Sequence, residues 1–385
     1  MLAPSVSVIW TSPRNPEMTS PPISWQASGD AAVPPPGATP IPPAAPRRRH
    51  RGLWIALITV VVLLVGGAIA AAVIRVPKII ISPGSATPLD RRVVAIRGAP
   101  SYAHRGNLLF LTVKVSTRDP NLFSLLFAEL DSDVDVTDRQ AIIGCASYAE
   151  ANDFATFEMR ESQDWAKAVA LRRLGYNVTT KDPRAVITAI DCKSNAVGKL
   201  ALGDFIVAVD GHPVTTSDQV PPLVRAHKPG DEIRLTVRRN GQELTIPVRA
   251  RERGGVAFVG IGAETSYTYA FPVDVRINTM RVGGPSAGLA FTLAIIDDLT
   301  PGDLTGGKRV AVTGKINLDG TVGPIGGARQ KAAAAREAGA QVMLVPKEEF
   351  ADARANAGSM KVYAVSNIDD ALAALHASGG DAVTN

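Results

Sequence analysis

The chain has 385 residues, 46% hydrophobic and 20% charged, a balance ordinary for globular protein and long enough for two or three domains. A net charge of +5 and a pI near 9.2 would admit a nucleic-acid partner, but several arginines are gathered in one run ahead of an apolar stretch. That run is a membrane-topology signal, so no nucleic acid is expected, and two cysteines outside any C-x-x-C or Cys/His spacing leave a structural zinc site unsupported.

Residues 1–52 hold 12 of the 28 prolines, few large apolar side chains and no helical period, the composition of a disordered tail. The stretch 53–74 then runs 22 residues without a charge, enough at about 1.5 Å per residue to cross a hydrocarbon core of about 30 Å. One transmembrane helix is expected there. A buried soluble helix would rarely be apolar on every face, and a cleaved signal would have a shorter apolar core and a shorter leader. Arg47, Arg48, Arg49 and Arg51 precede this helix, against Arg75 and Lys78 after it. Because basic side chains resist translocation, this predicts a single-pass protein of the cell (inner) membrane with a cytoplasmic tail and an extracytoplasmic remainder.

The segment 79–177 reads as mixed α/β, with NLLFLTVKV (107–115) as a strand and SQDWAKAVALRRLGY (162–176) as a helical pattern. No chemical motif stands in it, and a spacer between bilayer and later domains is the simplest reading. A disulfide between Cys145 and Cys192 requires an oxidising compartment, and the sequence leaves that pairing open. Between 178 and 250, strand-like AVITAI and LGDFIVAVDG precede a short helix in SDQVPPLVRAHKPG. Ile233, Leu235 and Val237, then Leu244, Ile246 and Val248, alternate on either side of Asn240-Gly241, which is a hairpin signal. The string NAVGKLALGDFIVAVDGHPV, followed by helix and hairpin, resembles the GxLxxGDxIxxVxGxxV stretch of the bacterial PDZ domain. That resemblance implies a groove between a strand and a helix where an extended peptide adds as a further strand. A β-rich spacer without a ligand is the plainer alternative.

Over 255–377, ahead of a short tail at 378–385, strands and helices intermix. VAFVGIG, PVDVRIN, KRVAVTG, QVMLVP and KVYAV read as strands, and GPSAGLAFTLAIIDDL, GARQKAAAAREAG and SNIDDALAALHA as helices. In GGPSAG (283–288) the glycines allow a tight path and Pro285 suits a first helical turn, so Ser286 would stand at the start of an apolar helix. Free N–H groups there, that of Ala287 among them, could stabilise an oxyanion, although a serine in such a place is more often a cap. Lys331 lies on a helix of small apolar residues; as a base it must be neutral, and desolvation is the usual cause of that. A solvated lysine is the default on a helix.

Taken together, GPSAG, VTGKINLDGTVGPIGG, VMLVPKE and IDDALAAL, in this order and spacing, resemble the proteolytic domain of Lon. The resemblance implies a serine endopeptidase in which Ser286 is the nucleophile, Lys331 its general base and Thr313 a positioning residue for the lysine. It implies no cofactor and no metal, protein or peptide substrates, and a possible homo-oligomer, because Lon relatives form rings. Membrane-anchored Lon-like proteases with a PDZ domain share this order, so the fold class expected is α+β: one N-terminal transmembrane helix, a mixed α/β segment, a PDZ-like domain and a Lon-type proteolytic domain. Three departures stand out. GDLTGGKR (302–309) fits G-x-x-x-x-G-K but ends in Arg309 and follows no strand, so it reads as a decoy rather than a nucleotide loop, and an ATP-independent enzyme is expected. Lys315 replaces a glutamate usual in Lon, and Gly283 an aspartate. Ser286 also satisfies G-x-S-x-G, but the only downstream histidine, His376, lies in the terminal helical pattern, against an α/β-hydrolase. A non-catalytic membrane scaffold with PDZ peptide binding is the alternative from another class.

Overall fold

The computed structural model describes residues 50–279 and 282–383, so the proline-rich stretch through residue 49 lies outside it. Helix α1 (His50–Val73) contains the apolar stretch Gly52–Val73, long and apolar enough to cross a membrane. Its large side chains, Leu53, Ile58, Leu63 and Ile69 among them, are exposed, the reverse of a helix packed in a core.

Strand β1 (Lys78–Pro88) follows, then β2 (Asn107–Val115), helix α2 (Leu122–Glu129), strand β3 (Asp135–Asp138) and the long helix α3 (Tyr148–Arg173). The sequence showed only the second half of α3; its first half is started by Ser147, whose hydroxyl accepts from the Glu150 N–H. The PDZ-like region supplies β4 (Thr179–Ile190), β5 (Phe205–Val209), the short helix α4 (Val220–Arg225) and the hairpin β6 (Glu232–Arg239) and β7 (Gln242–Arg249). Asn240 and Gly241 turn that hairpin with φ of 51° and 81°, the left-handed pair that a two-residue turn requires.

The C-terminal region adds β8 (Ile261–Ala270), helix α5 (Gly288–Leu299), β9 (Arg309–Val312), helix α6 (Ala328–Glu337), β10 (Val342–Pro346), β11 (Lys361–Val365) and helix α7 (Ile368–Ala377). Two sheets organise these elements. The first runs β11-β10-β9-β2-β1-β3, parallel from β11 to β2 and antiparallel thereafter. The segment 79–177 is therefore structural: β1, β2 and β3 complete the sheet on which α5 and α6 pack. The second runs β8-β4-β5-β6-β7, with β8 at its edge, paired with β4 of the PDZ-like region from Ile261↔Ile190 to Ala270↔Thr179.

Alternation sorts the first sheet's side chains onto two faces, as a strand period of two demands. Leu108, Phe110, Val310, Val312 and Leu344 pack with Leu289, Phe291, Leu293 and Ile296 of α5. Leu109, Leu111, Ala311, Met343 and Val345 pack with Ala332 and Ala335 of α6. The alanine run of α6 lets that helix lie close against its face.

Candidate active site

Ser286 stands two residues ahead of α5, and the helix proper starts at Gly288 after Ala287. Its backbone is tied to the segment that leaves β9: the Ser286 carbonyl accepts from the Gly314 N–H at 2.8 Å and from the Thr313 hydroxyl at 3.1 Å. From the other side α3 holds the same loop. The Gly284 N–H donates to the Ala155 carbonyl at 2.7 Å, and the Ser162 hydroxyl donates to the Pro285 carbonyl at 2.9 Å. Gly284 itself has φ +87°, a conformation that side chains other than hydrogen rarely allow. Among the described residues neither the Ser286 hydroxyl nor the Ala287 N–H has a hydrogen-bond partner. The loop is thus held through its carbonyls while a hydroxyl and an adjacent donor stay available, the pairing that attack on a carbonyl needs.

Lys331 lies in the first turn of α6, its N–H donating to the Gly327 carbonyl at 2.9 Å. Because β9 and β10 are parallel, the helix between them must return antiparallel, which puts its first turn at the carboxyl end of β9. Ser286 is bonded to that same end. The two residues thus come from helices on opposite faces of one sheet and approach its carboxyl edge, with the fully buried Thr313 on the strand exit. Lys331 is 2% exposed, and burial pulls its pKa down from the ordinary 10.5 to about 7, against the opposing pull of the Glu349 carboxylate. No ion pair or hydrogen bond engages the amine among the described residues, the Ser286 hydroxyl included. Thr313 donates to the Ser286 carbonyl rather than to the lysine.

A cleft of about 310 Å³ opens beside this loop, bounded by α3, by β4 and β8, and by Pro285, Lys315 and Ile316. Phe154, Phe157 and Trp165 give it apolar walls, and burial raises the pKa values of Glu158 and Glu161 on the same helix. The Lys315 ammonium lies over the Trp165 ring, 5.5 Å from its centroid. None of the α3 residues was legible as part of a site. Only the Ser147-x-x-Glu150 cap could have lengthened the helix enough to bring Ala155 and Ser162 into consideration. Glu349 was also missed, since an acid after QVMLVPK carries no signal without the fold.

The loop 302–308 is different. Its Asp303 carboxylate accepts from the N–H groups of Thr305 (3.0 Å) and Gly307 (3.1 Å), and the Lys308 amine donates to the Ser378 carbonyl. A phosphate would find those donors taken.

Comparison with known proteins gives two matched regions. Residues 263–377 match the family described as the Lon protease (S16) C-terminal proteolytic domain. The C-terminal region is similar to a Lon-type proteolytic domain. Residues 172–249 match the PDZ domain. The Lon protease of Haemophilus influenzae is 36% identical over 118 residues, 30% of this chain and 14% of that protein. The Lon protease of Roseiflexus castenholzii is 42% identical over 82 residues, 21% of this chain and 10% of that protein. The chain therefore aligns with 14% or less of the length of these two curated relatives. The crystal structure of the PDZ domain of an SdrC-like protein from Listeria innocua is 18% identical with a TM-score of 0.20, covering 21% of this chain and 92% of that one.

The two matched regions adjoin along the chain, the PDZ-like one followed by the one similar to a Lon-type proteolytic domain. The glycine at 283 now has a physical reason. A Cβ there would stand 3.0 Å from the Ala155 Cβ and 3.2 Å from its carbonyl carbon, so the aspartate usual in Lon would require α3 to give by a few tenths of an ångström. Cys145 and Cys192 are free thiols, with the Cys145 Sγ near the Ile190 carbonyl.

Proposed function

We propose that the chain is a membrane-anchored, ATP-independent serine endopeptidase in which Lys331 takes the Ser286 proton and the alkoxide attacks a peptide carbonyl. The tetrahedral oxyanion is received by the Ala287 N–H. Collapse expels the amine, protonated by Lys331, and leaves an acyl-enzyme that a water, deprotonated by the same lysine, hydrolyses. Lys331 carries this reading: an amine with its pKa near 7, buried in the first turn of α6, is a base at neutral pH where an ordinary lysine is not. Hydroxyl and amine are not hydrogen-bonded to each other here; in unliganded enzymes such contacts are often long and tighten once substrate is bound. Thr313 acts as a positioning residue, fixing the Ser286 backbone, which departs from the lysine-holding role that the Lon resemblance implied.

Substrate would enter along the cleft between α3 and β8, whose free edge can receive an extended chain as a further strand. ATP independence rests on the occupied donors of the 302–308 loop. Anchoring rests on α1, and an extracytoplasmic catalytic domain with extracytoplasmic or membrane-associated substrates rests on the arginine run before it. The test is hydrolysis of casein by the full chain in vesicles without nucleotide, beside Ser286→Ala and Lys331→Ala. Cleavage by the wild type alone is expected. Cleavage by both variants would remove the dyad, and none by the wild type would favour a non-catalytic scaffold.

A further inference from the structure

Helix α2 is turned the wrong way out for a helix in water. Of its residues only Ala128 is buried, while Leu122, Phe123, Leu126, Phe127 and the capping Leu130 are 37–76% exposed. At about 100° per residue these five side chains fall within an arc of about 140°, a single outward face. A surface helix of a soluble protein points such a face at the core, and exposed apolar patches of this kind mark a contact surface.

What covers the face is indicated by where the helix begins. The Asn121 side chain caps α2, its Oδ1 accepting from the Ser124 N–H at 2.8 Å, and its Nδ2 donates at 3.1 Å to the carbonyl of Ala72 in the last turn of α1. Two more bonds hold the same junction: the Val76 N–H donates to the Pro120 carbonyl at 3.0 Å, and the Arg75 guanidinium donates to the Asp119 carbonyl at 3.0 Å. One residue therefore fastens the start of α2 to the end of the apolar stretch, so α2 starts at the depth where that stretch leaves the hydrocarbon. Eight residues make a helix about 12 Å long, and the headgroup layer on each side of a bilayer is about 5–8 Å thick, so α2 lying along that plane is immersed in it.

We propose that α2 is an interfacial helix whose face of Leu122, Phe123, Leu126, Phe127 and Leu130 inserts among the acyl chains and headgroups of the lipid bilayer beside the exit of α1. It acts as a second foothold that sets the height and tilt of the catalytic sheet, since β2 and β3, which flank α2 in the chain, belong to that sheet. The inference rests on the anchoring of α1 proposed above, and the test separates the two.

The full chain is reconstituted in phosphatidylcholine–phosphatidylglycerol vesicles, irradiated with a lipid-dissolved diazirine, and the labelled peptides are mapped. Labelling of both 53–73 and 122–130, several-fold above the hairpin segment around Leu244, is the expected result. In a Leu126→Gln/Phe127→Gln variant, labelling of 122–130 falls to the hairpin level while 53–73 is unchanged. Labelling of 53–73 alone in the wild type overturns the interfacial helix and leaves the anchor. Labelling of neither segment removes the anchor and the proposal with it. An unlabelled 122–130, together with loss of a wild-type oligomer in the double variant, would overturn the proposal in favour of a second copy of this chain on that face.

Discussion

The two glycine-rich loops that flank α5, 283–288 before it and 302–308 after it, are restrained in opposite ways. The second has its donors spent: the Asp303 carboxylate gathers the N–H groups of Thr305 and Gly307, the Asp303 and Leu304 N–H groups go to the carboxylates of Asp381 and Asp297, and the Lys308 amine goes to the Ser378 carbonyl. The first is restrained from outside. Its carbonyls are held by Thr313, Gly314 and Ser162, and its Gly284 N–H by Ala155, while among the described residues the Ser286 hydroxyl and the Ala287 N–H have no acceptor. A loop that is to receive developing negative charge must be rigid and still keep its donors, and restraint through its carbonyls provides both. Glycine content cannot tell the two apart.

The largest effect separates them by chemistry. Ser286→Ala is expected to lower kcat by about 10³-fold or more, as loss of a nucleophile does, while Lys308→Ala leaves kcat per folded molecule unchanged. Equal losses in both would break the comparison. Asp303→Ala is the converse experiment, stranding the N–H groups of Thr305 and Gly307 and the buried Thr305 hydroxyl. We expect a loss of about 2–4 kcal/mol in urea unfolding, with no gain of ATP binding by calorimetry. Burial pushes the Asp303 pKa up, but the hydrogen bonds outweigh it and the net shift is down, so this stability is present above pH 3.8 and is lost as pH falls further. The gap between Asp303→Asn and wild type should accordingly close in acid.

Lys331 sharpens the comparison through pH. With its pKa near 7, kcat/KM should rise with a one-proton slope through about pH 7, and Glu349→Gln, by removing the carboxylate that holds the pKa up, should move that limb to lower pH. Stability carries the same signature with a definite sign. The folded lysine has a pKa of about 7 against 10.5 unfolded, so between those values the unfolded state holds more protons and stability rises with pH. Lys331→Met should therefore be inactive yet melt higher than wild type at pH 7, and its advantage should shrink toward pH 10.

Much of this was legible in the chain. Apolar runs marked β2, β10 and β11, alternation marked β6 and β7, Asn240-Gly241 marked a turn, and the block around Ser286 and the alanine-rich flank of Lys331 marked the candidate site by resemblance. What stayed hidden depended on distant pairing. Nothing within 79–177 says that β2 will lie between β1 and β9, because a strand's neighbour is not encoded in its own alternation. Likewise β8, with GAETSYTY carrying few large apolar residues, shows no alternation of its own and forms along β4 of the PDZ-like region. The restraint of the nucleophile loop by Ala155 and Ser162 spans more than a hundred residues of sequence, and only the folded chain brings them together.

The smallest expected effect tests that restraint alone. Ser162 is 2% exposed and its hydroxyl gives one hydrogen bond to the Pro285 carbonyl, one residue before Ser286. Ser162→Ala removes that bond and leaves the second donor to the same carbonyl, the Gly288 N–H at 3.2 Å, in place. Stability should fall by about 1 kcal/mol, the usual net worth of one such bond. If the loop depends on α3 for its rigidity, kcat should fall a few-fold beyond what the unfolded fraction explains, with the pH limb unmoved, because the Lys331 amine is untouched. A variant that loses stability but keeps full kcat would show that Thr313 and Gly314 suffice to hold the Ser286 backbone. The outside restraint of the loop would then come from β9 alone, and α3 would serve as a wall of the cleft.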